Sequence, residues 1–244
     1  MTPEARWEAC RRSHLERDFG ASGRRRVRMT VMTGGKPCLH YDIDHAWRRE
    51  GPVCGSILVV QAPAALRGTF VRMIEAGLSP DLDLELKLST ATHILTIAPE
   101  RQRQQVLGTD FTYEDLRFWR PLAALELRSA EPDPVSGDCV FRLARDGCGD
   151  TDLDVLTARP DGEVIAYQTS GSTRAGLWTV AQWAPVSPPS PNLIRFERLN
   201  RRFETRMALL GLERPDATPA DLFAAGGSPK RVVDYFLATE PVGN

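Results

Sequence analysis

Four side chains near the middle of the chain are of types that transfer protons. They are His93, Asp110, Tyr113 and Glu114. Because an imidazole titrates at about pH 6.5, a histidine that points into a cavity can act as a general acid or base. Asp110 and Glu114 would be its carboxylate partners if the corner that carries them faces the same cavity. The two carboxylates could instead hold that corner to Arg67 or Arg117 by charge-assisted hydrogen bonds, and the histidine could be an ordinary hydrogen-bonded edge residue.

A second group of titratable residues alternates along one predicted strand. The group is His40, Asp42 and Asp44, with His45 adjoining. Alternate strand positions lie about 6.5–7 Å apart, so one or two of these side chains could reach a metal ion, but a further ligand would have to come from elsewhere. A solvated strand face is the favoured interpretation. The sequence also lacks the G-x-S-x-G, P-loop, dinucleotide-binding and H-E-x-x-H motifs. It therefore predicts no metal and no cofactor, and it leaves enzymatic activity open.

The segments around these residues show the period of two that is typical of strands. Between residues 81 and 89, four leucines alternate with charged residues, so one side of the sheet is expected to be apolar and the other wet. We expect the apolar side to line a ligand cavity, unless core side chains fill it. The candidate ligand-binding residues are Phe70, Met73, Leu82, Leu84, Leu86 and Leu88.

Short predicted strands recur at near-regular spacing and are broken by turns such as 132–134 and 160–162. This pattern predicts an antiparallel meander in a mainly β (α+β) protein. At the N-terminus, Thr2 and Pro3 suit the start of a helix whose apolar stripe should cover one face of the sheet. A short helix is predicted over 228–238. We expect a single domain over residues 1–244.

Composition limits the choice of partner and location. A net charge of −1 gives no reason to expect nucleic acid as a partner, and the run Arg24–Arg26 is interpreted as a solvated strand entrance. No segment approaches about 18 uncharged apolar residues, so no integral membrane segment is predicted. The N-terminus does not have the pattern of a signal peptide. This predicts a cytoplasmic location for the chain as written, or a periplasmic one if a leader was removed.

The chain has five cysteines, an odd number at irregular spacing. They do not form the pattern of a disulfide framework or of a zinc site. Cys139 and Cys148 could pair if their strands are neighbours. Buried free thiols are the favoured interpretation.

The segment 108–116 has a definite local logic. Gly108 permits a sharp turn, and Thr112 with Asp115 forms a capping-box-like start for a short helix. Phe111 and Tyr113 can anchor the turn against the core. These residues predict a structured corner.

This segment, G-T-D-F-T-Y-E-D-L, resembles a motif of the LolA-like family of outer-membrane lipoprotein-sorting proteins. The segments 57–69 and 218–223 are similar to two further phrases of that family in order and spacing. The resemblance covers about residues 6–223, which leaves 224–244 as a C-terminal helical tail. A D-x-W-x-Y-L-P strand that is usual in the family is replaced here by a plain amphipathic strand, and the basic loop after it is reduced. The family-motif residues are Arg67, Gly68, Gly108, Asp110, Phe111, Tyr113, Glu114 and Asp115.

The resemblance implies a strongly curved antiparallel sheet that forms an unclosed barrel, with helices plugging its concave face. It implies a binding or carrier protein for an apolar small molecule or an acyl chain. The alternative is a cofactor-free biosynthetic enzyme or cyclisation chaperone that acts on an apolar intermediate on the same scaffold, because fold does not decide function. A third interpretation is a domain that pairs with a partner protein at an open sheet edge.

Overall fold

A computed structural model describes residues 2–14, 21–51, 53–76, 82–102, 104–109, 111–113, 116, 125–145, 154–169, 176–184, 190–198, 203–213 and 218–239. Two helices and thirteen strands account for most of them. The helices are α1 (Pro3–His14) and α2 (Pro229–Ala238). The strands are β1 (Ser22–Thr33), β2 (Lys36–Glu50), β3 (Val53–Ala62), β4 (Phe70–Ala76), β5 (Leu82–Lys87), β6 (Leu95–Thr96), β7 (Leu125–Pro132), β8 (Cys139–Arg145), β9 (Asp154–Ala158), β10 (Val164–Thr169), β11 (Gly176–Ala184), β12 (Ser190–Arg198) and β13 (Phe203–Glu213).

The strands form one antiparallel sheet in the order β6-β5-β4-β3-β2-β1-β13-β12-β11-β10-β9-β8-β7. Neighbouring strands are consecutive in the chain everywhere except at the contact of β1 with β13, where the two arms of the meander join. The edge strands β6 and β7 are not paired with each other in the described part of the chain, so the curved sheet does not close into a barrel. The predicted mainly β fold with a curved, unclosed antiparallel sheet is confirmed.

The strand register defines two faces of the sheet. We call inner face the side that carries Val27 and Met29 of β1, and outer face the side that carries Ala46 of β2 and Ile57 of β3. Following the Cα partners from β1 through β13, β12, β11 and β10 to β9 and β8 places Phe141 on the inner face. The inner face therefore runs through the whole sheet.

Helix α1 covers the inner face at one end of the sheet. Its first turn is capped by the Thr2 hydroxyl, which accepts a hydrogen bond from the Ala5 amide at 3.2 Å. Trp7 and Cys10 are buried against β7–β9, and the Trp7 ring lies 5.3 Å from that of Phe141. The predicted helix thus covers one face of the sheet. Among the described residues, no helix combines the length and the hydropathy that crossing a membrane requires.

The C-terminal segment covers the outer face of β2–β4. A 3₁₀ turn (Ala220–Phe223) and α2 pack Phe223, Val232 and Phe236 against Ile57 and Phe70. Strand β3 is buried on both sides, which explains why residues 57–60 of its sequence are consecutively apolar. The α2 helix begins where predicted, with Ser228 as its N-cap.

Several predicted boundaries differ from those observed. The apolar residues after His93 predict a strand over 93–98, but the strand there is only Leu95–Thr96, and His93 lies in a bend before it. Apolar alternation predicts a strand over 26–33, whereas β1 begins at Ser22, four residues earlier. The N-terminal part of β1 carries arginines, which hide a strand from a reading based on hydrophobic period.

Candidate functional site

The predicted ligand-lining residues divide between the two faces. Met73, Leu82, Leu84 and Leu86 lie on the inner face, where they are buried in one apolar cluster with Val27, Ile43 and Leu58. Leu88 is partly buried at the margin of that cluster. Phe70 lies on the outer face and packs under the C-terminal segment instead. The structure therefore brings five of the six residues together along β4 and β5.

A loop covers this apolar surface. We call covering segment the chain from residue 97 to residue 116, of which 103, 110, 114 and 115 lie outside the described residues. Its apolar side chains pack directly on the inner face of β1–β5. They are Ile97, Val106, Phe111, Tyr113 and Leu116, all buried. The inner face is thus closed here by a loop, whereas at β7–β9 it is closed by a regular helix.

Hydrogen bonds attach the first half of the covering segment to the sheet at two points. The Gln102 side chain donates to the carbonyl oxygen of Leu82 at 2.8 Å. The Tyr41 phenol donates to the carbonyl oxygen of Leu107. Leu107 has a φ of +51°, a left-handed conformation that a leucine rarely adopts, and Gly108 follows with a φ of +70°. The turn predicted at Gly108 therefore exists and includes a strained residue beside the Tyr41 bond.

The predicted proton-transfer residues are not all in the described part of the chain. Asp110 and Glu114 lie outside it, as does the family-motif residue Asp115. Tyr113 is buried on the inner face, and burial raises the pKa of its phenol, an effect that nearby Arg101 opposes. His93 is exposed. The structure thus places Tyr113 at the apolar surface and His93 in solvent.

The other family-motif residues form structural corners. Arg67 is exposed, and Gly68 has a φ of +84°. A Cβ atom at Gly68 would come within 3.3 Å of Val233 on α2. This glycine permits both the turn before β4 and the close approach of the C-terminal helix.

The inner face becomes polar towards one end of the strands. Arg25, His45, Trp47 and Ser56 lie there together, and we call them the polar end. In register, Arg25 is opposite His45, and Trp47 is opposite both Gly23 and Ser56. The Arg25 guanidinium lies 4.2 Å from the centre of the Trp47 ring, and the His45 ring lies 5.2 Å from it. His45 Nε2 and Ser56 Oγ are 2.8 Å apart.

Burial distinguishes the members of the polar end. Arg25 is 1% exposed and His45 is 0% exposed, whereas Ser56 is half-buried. Burial, and secondarily the charge of Arg25, lowers the pKa of His45 well below its usual 6.5, so the imidazole is neutral at pH 7. The polar end therefore presents a hydroxyl at its surface, with a neutral imidazole and a guanidinium behind it.

Three further groups lie at the margin of the polar end. The register places Arg49, Cys54 and Glu75 on the inner face, one step beyond Ser56. Burial, and secondarily the charge of Glu75, raises the pKa of the Cys54 thiol to about 12, while Arg49 acts in the opposite direction. The margin thus carries one cation, one anion and a neutral thiol.

The interpretation of Arg24–Arg26 as a solvated entrance is wrong. Arg24 and Arg25 are both buried, on opposite faces. On the outer face, Arg24 donates to Asp44 at 2.9 Å, and Gln61 donates to the same carboxylate oxygen at 3.0 Å. The missed signal was the parity of the strand: Arg25 alternates with the same period as Val27 and Met29.

The favoured interpretation of the His40 strand face is only partly right. His40 is exposed and lies 3.1 Å from the Thr30 hydroxyl, and Asp42 bonds to Arg28 at 2.7 Å. Asp44 is instead buried with Arg24. Within the described ranges, no three His, Cys, Asp or Glu side chains are placed to hold a metal ion.

A separate cleft of about 470 Å³ lies on the outer side, between α2 and the preceding 3₁₀ turn. Its charged side chains pair locally: Arg231 contacts Asp221 at 2.5 Å, and Lys230 contacts Asp234. Exposed pairs of this kind are typical of a solvated surface. We therefore place the candidate site on the inner face.

Solved structures share this architecture. A DUF1329 family protein from Desulfovibrio piger matches with a TM-score of 0.78 and 16% identity, over 92% of this chain and 98% of that one. An outer membrane lipoprotein-sorting protein domain from Vibrio parahaemolyticus matches with a TM-score of 0.74 and 12% identity, over 92% and 96%. A LolA superfamily protein from Nitrosomonas europaea matches with a TM-score of 0.67 and 15% identity, over 92% and 98%.

No protein-family model and no curated protein matches the chain. At identities of 12–16%, the structural likeness establishes the fold. The LolA-like fold implied by the sequence motifs is confirmed over nearly the whole length of the chain.

Proposed function

We propose that this protein binds an apolar or acyl-chain ligand on the inner face of β1–β5. The ligand would take the place that the covering segment occupies in the structure. The observation that carries the proposal is the nature of the closure: a broad, regular apolar surface is sealed by apolar side chains of a loop. A loop has few of the internal hydrogen bonds that stabilise a helix, so it can leave the sheet at a lower free-energy cost.

Two properties of the surface support a ligand of this class. The inner-face side chains Leu58, Leu84 and Met73 are aliphatic and would contact hydrocarbon without directional bonds. The covering side chains Val106 and Phe111 already make such contacts. A ligand that replaced them would bury the same apolar surface, so the exchange would leave little of the sheet exposed to water. The lipoprotein-sorting protein domain of Vibrio parahaemolyticus has this fold.

Native mass spectrometry of the purified protein, followed by solvent extraction, tests the proposal directly. A bound lipid or another amphiphile would support it. The protein should also take up a fluorescent acyl probe, with the emission shift that accompanies transfer to an apolar site. A protein that co-purifies empty and takes up no acyl probe would contradict it.

A matched pair of substitutions locates the site. Phe111→Leu loosens the covering segment, whereas Phe236→Leu removes the same volume from the outer face; both residues are buried. Each change should cost about 1–2 kcal/mol of stability. Only Phe111→Leu should change the affinity for the acyl probe. The affinity should rise at least about threefold, because the loosened covering segment competes less well with the probe for the inner face. Equal effects of the two variants would place binding elsewhere.

The second candidate is a cofactor-free enzyme or cyclisation chaperone on the same surface. The observation that favours it is the buried Tyr113 phenol, which faces the apolar cluster. Its role would be to steer a proton on a bound intermediate, with His93, Asp110 and Glu114 as further candidates. If replacing all four residues leaves turnover of a candidate substrate unchanged, this version fails while ligand binding stands.

A further inference from the structure

We propose that the ligand is an anionic amphiphile, whose carboxylate or phosphate head group is held at the polar end by Arg25 and Ser56. This inference rests on the proposed function, because it assumes that the hydrocarbon part of the ligand lies on the inner face. It adds the chemical class of the head group and the direction in which the ligand lies.

The direction follows from the order of residues along neighbouring strands. On β1 the inner-face positions run from Val31 through Met29 and Val27 to Arg25. The apolar positions from Val31 to Val27 cover five residues of strand, about 17 Å, so this part has room for a dodecyl chain. The same order, apolar first and polar last, holds on β3 from Val60 to Ser56. A chain lying along the strands would therefore bring its head to Ser56 and Arg25.

The charge of the head group follows from the charges at this end. A guanidinium stays protonated in any protein environment, so Arg25 places a positive charge at the polar end of the inner face. The five N–H donors of this charged group can bond to a ligand oxyanion in addition to the partners that Arg25 has within the protein. Away from bulk water, such a charge attracts an anion more strongly than an exposed one would.

The hydrogen-bonding groups fit an oxyanion. Ser56 is half-buried and is the member of the polar end that reaches the surface. Its hydroxyl lies 2.8 Å from His45 Nε2, and the neutral imidazole can donate or accept in that bond. If His45 donates to Ser56 Oγ, the hydroxyl is free to donate to a ligand oxygen. Trp47 lies against both Arg25 and His45 and limits their movement.

Three probes with the same hydrocarbon chain separate head group from tail: dodecanoate, dodecyl phosphate and dodecanol. Their affinities can be measured at pH 7.4 by displacement of a fluorescent acyl probe. We expect the affinity for each anion to be at least about tenfold higher than that for the alcohol, because a charge-assisted hydrogen bond is stronger than a neutral one. Preference for dodecanoate would indicate a free fatty acid as the natural source, and preference for dodecyl phosphate a phospholipid.

Substitutions assign the effect to residues. Arg25→Gln should reduce the anion-to-alcohol affinity ratio to about one, and Ser56→Ala should reduce it several-fold, with dodecanol affinity unchanged in both. Arg28→Gln is the matched control: Arg28 lies on the same strand but is exposed on the outer face, paired with Asp42. It should leave the ratio as in the wild type. Near-UV circular dichroism reports whether each variant is folded, and Ser56→Ala decides the case if Arg25→Gln does not fold.

The outcomes separate the two proposals. If dodecanoate, dodecyl phosphate and dodecanol bind equally well, the head-group site is overturned and the apolar binding function stands. If none of the three binds, the proposed function itself is overturned. If the anions are preferred and the preference survives both Arg25→Gln and Ser56→Ala, the head group is held elsewhere and the assignment to the polar end is wrong.

Discussion

The phenol of Tyr41 on β2 donates a hydrogen bond to the carbonyl oxygen of Leu107, and this bond joins the sheet to the covering segment. Leu107 holds a left-handed backbone conformation at that point, with a φ of +51°. Such a conformation costs about 1 kcal/mol or more for a residue with a side chain, so it persists only where other contacts restrain it. The Tyr41 bond is one of those contacts.

Removing this bond should favour the state in which the covering segment has left the inner face. Tyr41→Phe deletes the donor and keeps the ring in the apolar cluster, at a cost of about 1 kcal/mol. We expect hydrogen exchange in residues 104–113 and the rate of acyl-probe uptake to rise about fivefold. Tyr235→Phe, on the outer-face helix α2, is the matched control and should change neither rate. Unchanged exchange in Tyr41→Phe would show that this bond does not hold the segment.

A different arginine attaches the C-terminal segment to the outer face. Arg72 is 0% exposed and bonds to Glu85, and it donates to the carbonyl oxygens of Leu222 at 3.1 Å and Gly227 at 3.2 Å. Arg72→Leu would leave the half-buried Glu85 carboxylate and two carbonyl groups without this donor. Since breaking one side of a buried pair costs about 3–5 kcal/mol, thermal unfolding should shift strongly downwards.

The exposed pair Arg28–Asp42 offers the comparison. Arg28→Leu should cost about 0–1 kcal/mol, because water and salt screen a surface pair. Hydrogen exchange would show whether residues 218–239 detach in Arg72→Leu while β1–β5 stay protected. Equal destabilisation by the two substitutions would contradict the role given to Arg72.

The elements that local patterns predicted well are those with one apolar and one wet face. The leucines of β5 alternate with charged residues, and all the inner-face leucines of that strand are buried as expected. Strand β4 was harder to interpret, because it is buried on both sides. Alternation alone could not show that Phe70 belongs to the outer face, under a segment more than 140 residues further along the chain.

The polar end was not predicted, for a physical reason. Three consecutive arginines have the pattern of a solvated segment, and burial of a guanidinium requires partners that come from other strands. His45 was considered only for its neighbours in sequence, whereas its contacts in space are Arg25, Trp47 and Ser56. Register across three strands creates this group, and one strand's sequence does not contain that information.

Protonation of His45 should make the protein sensitive to acid. Its pKa is lowered in the folded state by burial and by Arg25, and is about 6.5 in the unfolded chain. Below pH 6.5 the unfolded state binds a proton that the folded state does not. The free energy of unfolding is therefore unaffected by His45 above about pH 6.5. It decreases as the pH falls towards the pKa of His45 in the folded state, by up to about 1.4 kcal/mol per pH unit.

Thermal unfolding between pH 7.5 and pH 5 measures this effect. His45→Gln should flatten the profile over that range, because glutamine does not titrate. His93→Gln removes an exposed histidine and should leave the profile as in the wild type. A wild-type slope that persists in His45→Gln would assign the acid sensitivity to another group.

Cysteine reactivity should report on the margin of the polar end. Cys38 is exposed, whereas the pKa of half-buried Cys54 is raised to about 12, chiefly by burial. Because the thiolate is the reactive form, the rate of alkylation by iodoacetamide at pH 8 should be at least about tenfold higher at Cys38 than at Cys54. Peptide mass spectrometry gives both rates, and the difference should vanish in denaturant. Dodecanoate bound at the polar end should slow Cys54 further and leave Cys38 unchanged. Equal rates at Cys38 and Cys54 in the folded protein would contradict the placement of Cys54 at this buried margin.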